Sequence, residues 1–290
     1  MCIRDSSQED ANLAADGLVT ADIRGCETHG VSNMLRVYKK LYENGNINPQ
    51  PRWKITRESS AVATIDADGS HGLVICPQAM DIAVEKASKV GIGAVTIHIS
   101  GHAGMMAYHA MRAMPHDMIG YAITGGGAIM VPTFGAVPRV GAVPHAWAIP
   151  ADKHPAVVAD MAVGFSALGK VRVAAATGQD IPADVGVDQD GNATTDPTKL
   201  VWLNPFAGPK GFGMGIVMET LSGILASATA AVNRGPDDRG QVGQVFAAIS
   251  VESFRPLSDF TTDVDLSLMH ISEPTRPLYI SYAVFCLKKK

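Results

Sequence analysis

The chain has 290 residues, enough for one large or two modest domains, and its 47% hydrophobic and 18% charged residues argue against a disordered protein. Its 24 basic and 28 acidic residues give a formal net charge of −4 without a basic stripe, which argues against a nucleic-acid partner. No C-x-x-C spacing occurs among the four cysteines, so we predict a cytoplasmic protein without structural zinc or disulfide bonds.

The longest apolar stretch, residues 214–232, contains the polar residues Glu219, Ser222, Ser227 and Thr229. Spanning a bilayer would leave these groups without hydrogen-bond partners, whereas a folded core can pair them. The stretch therefore predicts a buried helix and no membrane partner.

Both ends of the chain differ in character from the rest. The segment MCIRDS at residues 1–6 and the tail at residues 266–290 resemble translated sequencing-adapter read-through. The alternative for the tail is an ordinary C-terminal strand, because its segment LYISYAVF is rich in β-forming residues. We interpret both ends as non-native.

The first part of the natural segment is predicted to be helical. Thr20 can cap a helix through residues 22–27, and a second helix should begin after Gly30 and end near Asn44 and Gly45. The second helix is indicated by apolar residues at helical spacing, namely Val31, Leu35, Tyr38 and Leu41 or Tyr42.

Strands and helices then alternate, which predicts a mixed αβ fold. The predicted elements are a strand at 61–65, an Asp68–Gly69 turn, a helix from Pro77 to Gly91, a strand at 94–99, a turn at 100–104, a helix at 105–114 and a strand at 119–124. They continue with short strands at 147–150 and 156–159, a helix at 165–177, an exposed turn at 190–192 and an apolar helix opened by Pro209.

The usual phosphate-binding and nucleophile motifs are absent. No G-x-G-x-x-G lies between a strand and a helix, and Gly211, Gly213 and Gly215 follow no clear strand. There is also no G-x-x-x-x-G-K-[ST] loop and no G-x-S-x-G elbow. An ordinary Rossmann site and a serine hydrolase are therefore not expected.

His102 lies between glycines in the turn of a strand–turn–helix unit, where the backbone can approach a ligand. The N-terminus of the following helix disfavours an imidazolium, and a neutral imidazole is what a general base needs. A histidine that only hydrogen-bonds the turn fits the same position. An alternative cluster of His98, His102 and His109 would indicate a metal-dependent hydrolase.

Three other residues can be interpreted either as functional residues or as residues with only a structural or solvent-exposed role. His29 precedes an apolar helix and could be a helix cap or core residue. Lys210, at a helix N-terminus, suits a phosphate or ribose but also suits solvent. Asp160, at the end of a strand, could orient a histidine, bind a hydroxyl group or cap a helix.

Five segments together resemble the malate/L-lactate dehydrogenase family, which includes sulfolactate and ureidoglycolate dehydrogenases and imino-acid and diketogulonate reductases. The segments are Ala21–Val31, Ser100–Gly104, Pro132–Gly135, Asp160–Ala162 and Pro209–Gly213. Each motif is weak alone, but their order and spacing match over nearly all of residues 7–265.

The resemblance implies a non-Rossmann αβ cofactor domain with a mixed sheet, a helical domain from the chain ends, NAD or NADP as cofactor, and a homodimer. It implies that His102 takes the substrate hydroxyl proton while hydride leaves the same carbon. It also implies that His29 lines the substrate pocket, with proton donation assigned to it in some members. The residues implied for cofactor binding are Gly126, Asp160, Met161, Ala162 and Lys210.

Two departures from the family pattern concern substrate and cofactor contacts. Many members have an arginine four residues after the histidine that matches His29, whereas this chain has Asn33 there and Arg36 one turn later. The glycine-rich segments 124–127 and 141–144 lack the asparagines that many members have, although their backbone N–H groups remain available.

We predict a helical, substrate-binding domain from residues 7–55 and 205–265 and a cofactor-binding αβ domain from residues 56–204. The predicted function is a nicotinamide-dependent oxidoreductase that interconverts a small malate- or lactate-like 2-hydroxy acid and its 2-oxo acid. The alternatives are the metal-dependent hydrolase and a non-catalytic cofactor-binding relic. The resemblance also places a loop that completes the cofactor site beyond residue 265, so this chain is expected to bind cofactor poorly.

Overall fold

The computed structural model describes residues 6–234 and 241–272. Its centre is a seven-stranded mixed sheet of strand order β1-β2-β3-β9-β4-β5-β6. These strands are β1 (Lys54–Glu58), β2 (Val62–Asp66), β3 (Ile92–Ser100), β4 (Met118–Thr124), β5 (His145–Ile149), β6 (Val157–Met161) and β9 (Val242–Ser250). Only β2 and β3 are parallel neighbours, and the other pairs in this sheet are antiparallel. The mixed αβ class and the mixed sheet are therefore confirmed.

Seven helices and a small second sheet complete the described part of the chain. The helices are α1 (Gln8–Ile23), α2 (Val31–Glu43), α3 (Gly72–Val90), α4 (Met106–Ala110), α5 (Leu168–Thr177), α6 (Pro209–Glu219) and α7 (Leu257–Ser272). Strands β7 (Gly186–Val187) and β8 (Trp202–Leu203) pair antiparallel. Within residues 6–234 and 241–272, none of these helices combines the length and apolar character needed to cross a membrane.

The main core lies between the large sheet and helices α3 and α4. Val95 and Ile97 of β3, Phe246 of β9 and Met80 of α3 are fully buried there. Successive strand residues point to opposite faces, and on the other face Ile123 and Val245 pack in a second cluster with Met130, Val140 and Met218. On that face, Tyr121 and Trp147 stack with ring centroids 4.2 Å apart, and Trp147 remains 37% exposed.

The predicted helix ends are right in some places and wrong in others. The second helix and its end are confirmed by α2, which is followed by Gly45 at a φ of 71°. The cap at Thr20 is wrong, because α1 runs through that residue and its N-cap is Ser7, whose hydroxyl accepts the Asp10 N–H. Pro77 does not open α3, which begins one and a half turns earlier at Gly72.

The apolar stretch 214–232 does not form one helix. Helix α6 ends at Glu219, a π-helical turn covers Thr220–Ile224, and a short 3-10 turn follows at Ala231–Asn233. The buried Glu219 carboxylate accepts the Ala231 N–H at 2.7 Å, which folds the chain back on itself. The stretch is thus interrupted by its own polar residue.

The central strand β9 has no counterpart among the predicted elements. Its neighbours β3 and β4 cover both of its edges and the core covers one face, so its sequence lacks the regular alternation of an exposed strand. The segment 205–265 was predicted to belong to the helical domain. Its residues 242–250 instead form a strand of the large sheet. The described residues do not include residues 1–5 or the predicted non-native tail from residue 273 onward, which contains the segment LYISYAVF.

Candidate active site

The turn that carries His102 is held by two other parts of the chain. Gly101 donates its N–H to the Ser70 carbonyl at 2.9 Å and accepts a hydrogen bond from Gln244 Nε2 at 3.0 Å. The start of α3 passes so close that a Cβ at Gly72 would lie 2.5 Å from the His102 carbonyl oxygen. A side chain at residue 72 would therefore displace the turn.

The imidazole of His102 has a defined orientation. Its Nδ1 lies 2.8 Å from the Tyr38 hydroxyl oxygen and accepts the backbone N–H of Gly104 at 3.2 Å. Among the described residues, Nε2 has no hydrogen-bond partner, and the residue keeps exposed surface. The free nitrogen available to a substrate is therefore Nε2.

His29 lies against His102. The two rings are nearly parallel, with an interplanar angle of 7° and centroids 5.6 Å apart. His29 Nδ1 is 2.9 Å from the Thr28 hydroxyl, on the short turn Glu27–His29 between α1 and α2. The structure thus brings together the two histidines that the family resemblance implies.

Both histidines are neutral at neutral pH. Loss of solvation and, to a smaller extent, the neighbouring His29 and His109 lower the pKa of His102 from 6.5 to about 4. Burial also lowers the pKa of His29. A neutral imidazole can accept a proton from a bound hydroxyl group, so this geometry suits a general base.

Asp160 is a helix cap in this structure. From β6 its Oδ2 accepts the Ala107 N–H of α4 at 2.7 Å, which places the carboxylate next to the segment that follows His102. Burial raises its pKa to about 6, against the opposing effects of the Ala107 hydrogen bond and the charge of Arg24. No hydrogen bond joins Asp160 to His102 or His29 among the described residues.

The remaining predicted cofactor residues lie at the end of β6, on a loop and at the start of α6. Met161 is 47% exposed, and Ala162 beside it is partly buried. Gly126 follows Gly125, whose N–H bonds the Gly243 carbonyl at 2.8 Å, and a Cβ at Gly126 would meet open space. Lys210 is exposed in the first turn of α6, and no described contact joins it to His102 or His29.

The histidine cluster that would indicate a hydrolase does not converge. His109 is fully buried, and its Nε2 lies 2.7 Å from the Ala103 carbonyl oxygen. His98 lies on β3 opposite Asp66 of β2. Within the described ranges, no group of three or more His, Cys, Asp or Glu side chains is arranged to hold a metal ion. The geometry gives the metal alternative no support.

Asn33, which stands where many family members have an arginine, and the nearby Arg36 have different surroundings. Asn33 donates its amide to the Glu27 carbonyl at 2.6 Å, so it ties α2 to the turn that carries His29. Arg36, one turn later, is exposed. Asn33 therefore has a local structural role in place of the family arginine.

Three residues at the site were not assigned a functional role from the sequence. Tyr38 appeared only as part of an apolar stripe, and His71 and Gln244 had no recognisable motif. His71 is buried at the N-terminus of α3, where its ring meets the edge of Tyr38 at a centroid distance of 4.3 Å. Their roles depend on contacts between distant segments, which a local pattern does not contain.

Comparison with known proteins identifies the family. The model of the malate/L-lactate dehydrogenase family matches residues 3–277. The chain belongs to this family. L-sulfolactate dehydrogenase of Methanocaldococcus jannaschii is 38% identical over 274 residues, which cover 92% of this chain and 79% of that protein.

A second relative and a solved structure agree with this assignment. Ureidoglycolate dehydrogenase (NAD(+)) of Escherichia coli O157:H7 is 32% identical over 225 residues, covering 78% of this chain and 64% of that protein. The crystal structure of malate dehydrogenase from Entamoeba histolytica superimposes with a TM-score of 0.89 at 27% identity, over 97% of this chain and 82% of that chain. The predicted class, a dehydrogenase acting on the CH–OH group of a hydroxy acid, is confirmed at the level of the family, whose dehydrogenases use a nicotinamide cofactor.

Proposed function

We propose that this protein catalyses the reversible oxidation of a small malate- or lactate-like 2-hydroxy acid to its 2-oxo acid, with NAD or NADP. The observation that carries the proposal is the His102 imidazole, which is anchored through Nδ1, neutral at neutral pH and unpartnered at Nε2 among the described residues. Nε2 can take the hydroxyl proton of a bound substrate when the ring hydrogen is on Nδ1.

In the oxidation direction, the O–H bond of the substrate breaks and its proton passes to Nε2 of His102. The C–H bond at the same carbon breaks with both electrons, and the bound nicotinamide is the hydride acceptor that the family supplies for this chemistry. His29, stacked on His102, forms one wall of the substrate pocket in this proposal. Burial lowers its pKa and so favours the neutral ring, and when Nδ1 accepts the Thr28 hydroxyl hydrogen, the Nε2–H can donate a hydrogen bond to substrate.

The residues proposed for the cofactor have suitable chemistry. Lys210, beside the unpaired N–H groups at the start of α6, offers positive charge to a phosphate. The Asp160 oxygen that does not cap α4 can accept a hydroxyl or amide hydrogen. Gly126 leaves room for close approach of a ligand to the backbone, and the exposed Met161 with Ala162 offers an apolar surface.

The wider organisation is proposed on the same basis. We place the substrate-binding part in residues 7–55 and 205–265, apart from β9, and the cofactor-binding part in residues 56–204.

We propose a homodimer in the cytoplasm. A row of residues crosses the sheet face opposite α3, namely Val62, Ala94, Ala247, Tyr121, Trp147 and Ala159. Val62 and Trp147 in this row are 50% and 37% exposed, so the face offers apolar surface to a second subunit.

A parallel screen tests the proposed function. Purified protein is assayed at 340 nm with a set of 2-oxo acids and cyclic imino acids, each with NADH and with NADPH. We expect saturable consumption of one cofactor with one 2-oxo acid, unaffected by a chelator. No change at 340 nm with any acid, together with zinc or iron bound to the purified protein, would instead support the hydrolase, and cofactor binding without turnover on any acid would support the relic.

A further inference from the structure

Tyr38 contacts the catalytic imidazole from inside the helical part of the molecule. It belongs to α2, is fully buried and packs in a small core with Ala14, Leu18 and Leu73. Its ring is also held by the edge contact with His71. These contacts fix the ring, so the hydroxyl group is held 2.8 Å from Nδ1 of His102.

The second contact at Nδ1 decides which nitrogen of neutral His102 has the hydrogen. The Gly104 N–H at 3.2 Å can only donate, so it requires a lone pair on Nδ1. The Tyr38 hydroxyl can donate to the same lone pair. A neutral imidazole with a lone pair on Nδ1 has its hydrogen on Nε2, the nitrogen that is free to face a substrate.

We propose that Tyr38 is a positioning residue that holds resting His102 as the Nε2–H tautomer and accepts the Nδ1 hydrogen when His102 acts as a base. The tautomer assignment concerns the free protein, whereas its catalytic consequence rests on the proposed function.

The two roles of Tyr38 match the two sides of the reaction. In the resting tautomer, Nε2–H can donate a hydrogen bond to the carbonyl oxygen of a 2-oxo acid. Proton transfer in the reduction direction requires a further proton at Nδ1, because it is the reverse of an oxidation that leaves both ring nitrogens protonated. To take a hydroxyl proton, Nε2 must release its hydrogen to water while Nδ1 gains one from water, with no change in the charge of the ring. The Nδ1 hydrogen then needs an acceptor, and the Gly104 N–H cannot be one. Tyr38 can, because its hydroxyl group rotates from donor to acceptor.

The tautomer can be measured without an assay of activity. Histidine side chains are labelled with ¹⁵N, and the His102 signals are assigned by their loss in His102→Gln. At neutral pH we expect the pattern of an Nε2–H imidazole with a hydrogen-bonded Nδ1 lone pair. An Nδ1–H pattern in the wild-type protein would overturn the proposal, even in a fully active enzyme.

Tyr38→Phe tests the part played by the hydroxyl group and preserves the buried ring. The Nδ1 signal should move toward that of a lone pair with one fewer hydrogen bond. In whichever direction the enzyme is active, kcat should fall about tenfold, the scale of one lost hydrogen bond, while the KM of the 2-oxo acid stays nearly unchanged. A variant with wild-type kcat and an unmoved Nδ1 signal would contradict the role.

Tyr42→Phe is the matched control. Tyr42 lies one turn further along α2 and its ring also contacts His71, at 5.8 Å, but it makes no described contact with His102. We expect wild-type kcat and an unchanged His102 spectrum from this variant. Equal effects in the two variants would show that the change reports packing of α2 and would overturn the proposal. If no acid is turned over by wild type, the spectra alone still decide the tautomer.

Discussion

Asp22 and Gly30 fit together so closely that a side chain at residue 30 would have to displace the Asp22 carboxylate. The Asp22 carboxylate accepts the N–H of Val31 at 3.0 Å and thereby caps α2 from the end of α1. It occupies the space where a Cβ of residue 30 would lie. This contact closes the loop that contains His29, so it fixes the position of that histidine against His102.

Gly30→Ala should therefore damage both the fold and the site. The added Cβ must push the Asp22 carboxylate away from Val31, which combines overpacking with loss of a cap. We expect a loss of roughly 1–3 kcal/mol in the free energy of unfolding and a lower kcat as His29 moves. Urea unfolding measures the first effect. Gly213→Ala, where the new Cβ meets open space, is the control and should be neutral or slightly stabilising.

His102→Ala tests the catalytic assignment. Loss of the group that takes the hydroxyl proton should lower kcat by roughly 10²- to 10⁴-fold. Cofactor affinity, measured by calorimetry, should stay close to wild type because His102 has no proposed contact with the cofactor. His116→Ala removes an exposed histidine at the end of the turn after α4 and should leave both quantities unchanged. Turnover at the wild-type rate in His102→Ala would refute the assignment.

Local patterns in the sequence predicted the elements whose signals are local. Helix α2 has its apolar stripe and terminal glycine, and the turn at His102 has its two glycines. The strand β9 was missed because it is covered by neighbours from distant parts of the chain. Likewise, Tyr38 has an ordinary helix-stripe spacing, and only the tertiary structure brings its hydroxyl group to a residue 64 positions away. The family resemblance suggested His29 and His102 as a pair, which spacing alone did not.

Buried histidines should make the fold sensitive to acid. Burial lowers the pKa of His71 to about 3 and of His109 to about 4, whereas an unfolded histidine titrates near 6.5. The unfolded chain therefore binds more protons below pH 6.5, and stability present above that pH is lost as the pH falls toward 4. Asp160 opposes this, because its raised pKa of about 6 lets the folded state bind a proton first.

Two buried histidines against one aspartate leave about one proton, or a slope of about 1.4 kcal/mol per pH unit between pH 6 and 4. Urea unfolding at several pH values measures this slope. His71→Leu should reduce it by about one proton, since both ring nitrogens of His71 lack a hydrogen-bond partner among the described residues. At pH 7 the same variant should be nearly as stable as wild type, because no hydrogen bond is lost. An unchanged acid slope in His71→Leu would show that His71 is not held neutral.

Asp160 should make cofactor binding depend on pH in the same range. If its second oxygen accepts a hydrogen from the cofactor, the ionised form binds more tightly, and affinity should rise as the pH increases through about 6. Asp160→Asn keeps an oxygen that can accept the Ala107 N–H, so α4 remains capped while the titration disappears. Calorimetry with NADH and NADPH between pH 5 and 8 should give a curve with a midpoint near 6 for wild type and a flat line for the variant.

Asp160→Ala should in addition lower the free energy of unfolding by about 1 kcal/mol through loss of the cap. Identical pH curves in wild type and Asp160→Asn would restrict Asp160 to its role at α4 and remove it from the cofactor site.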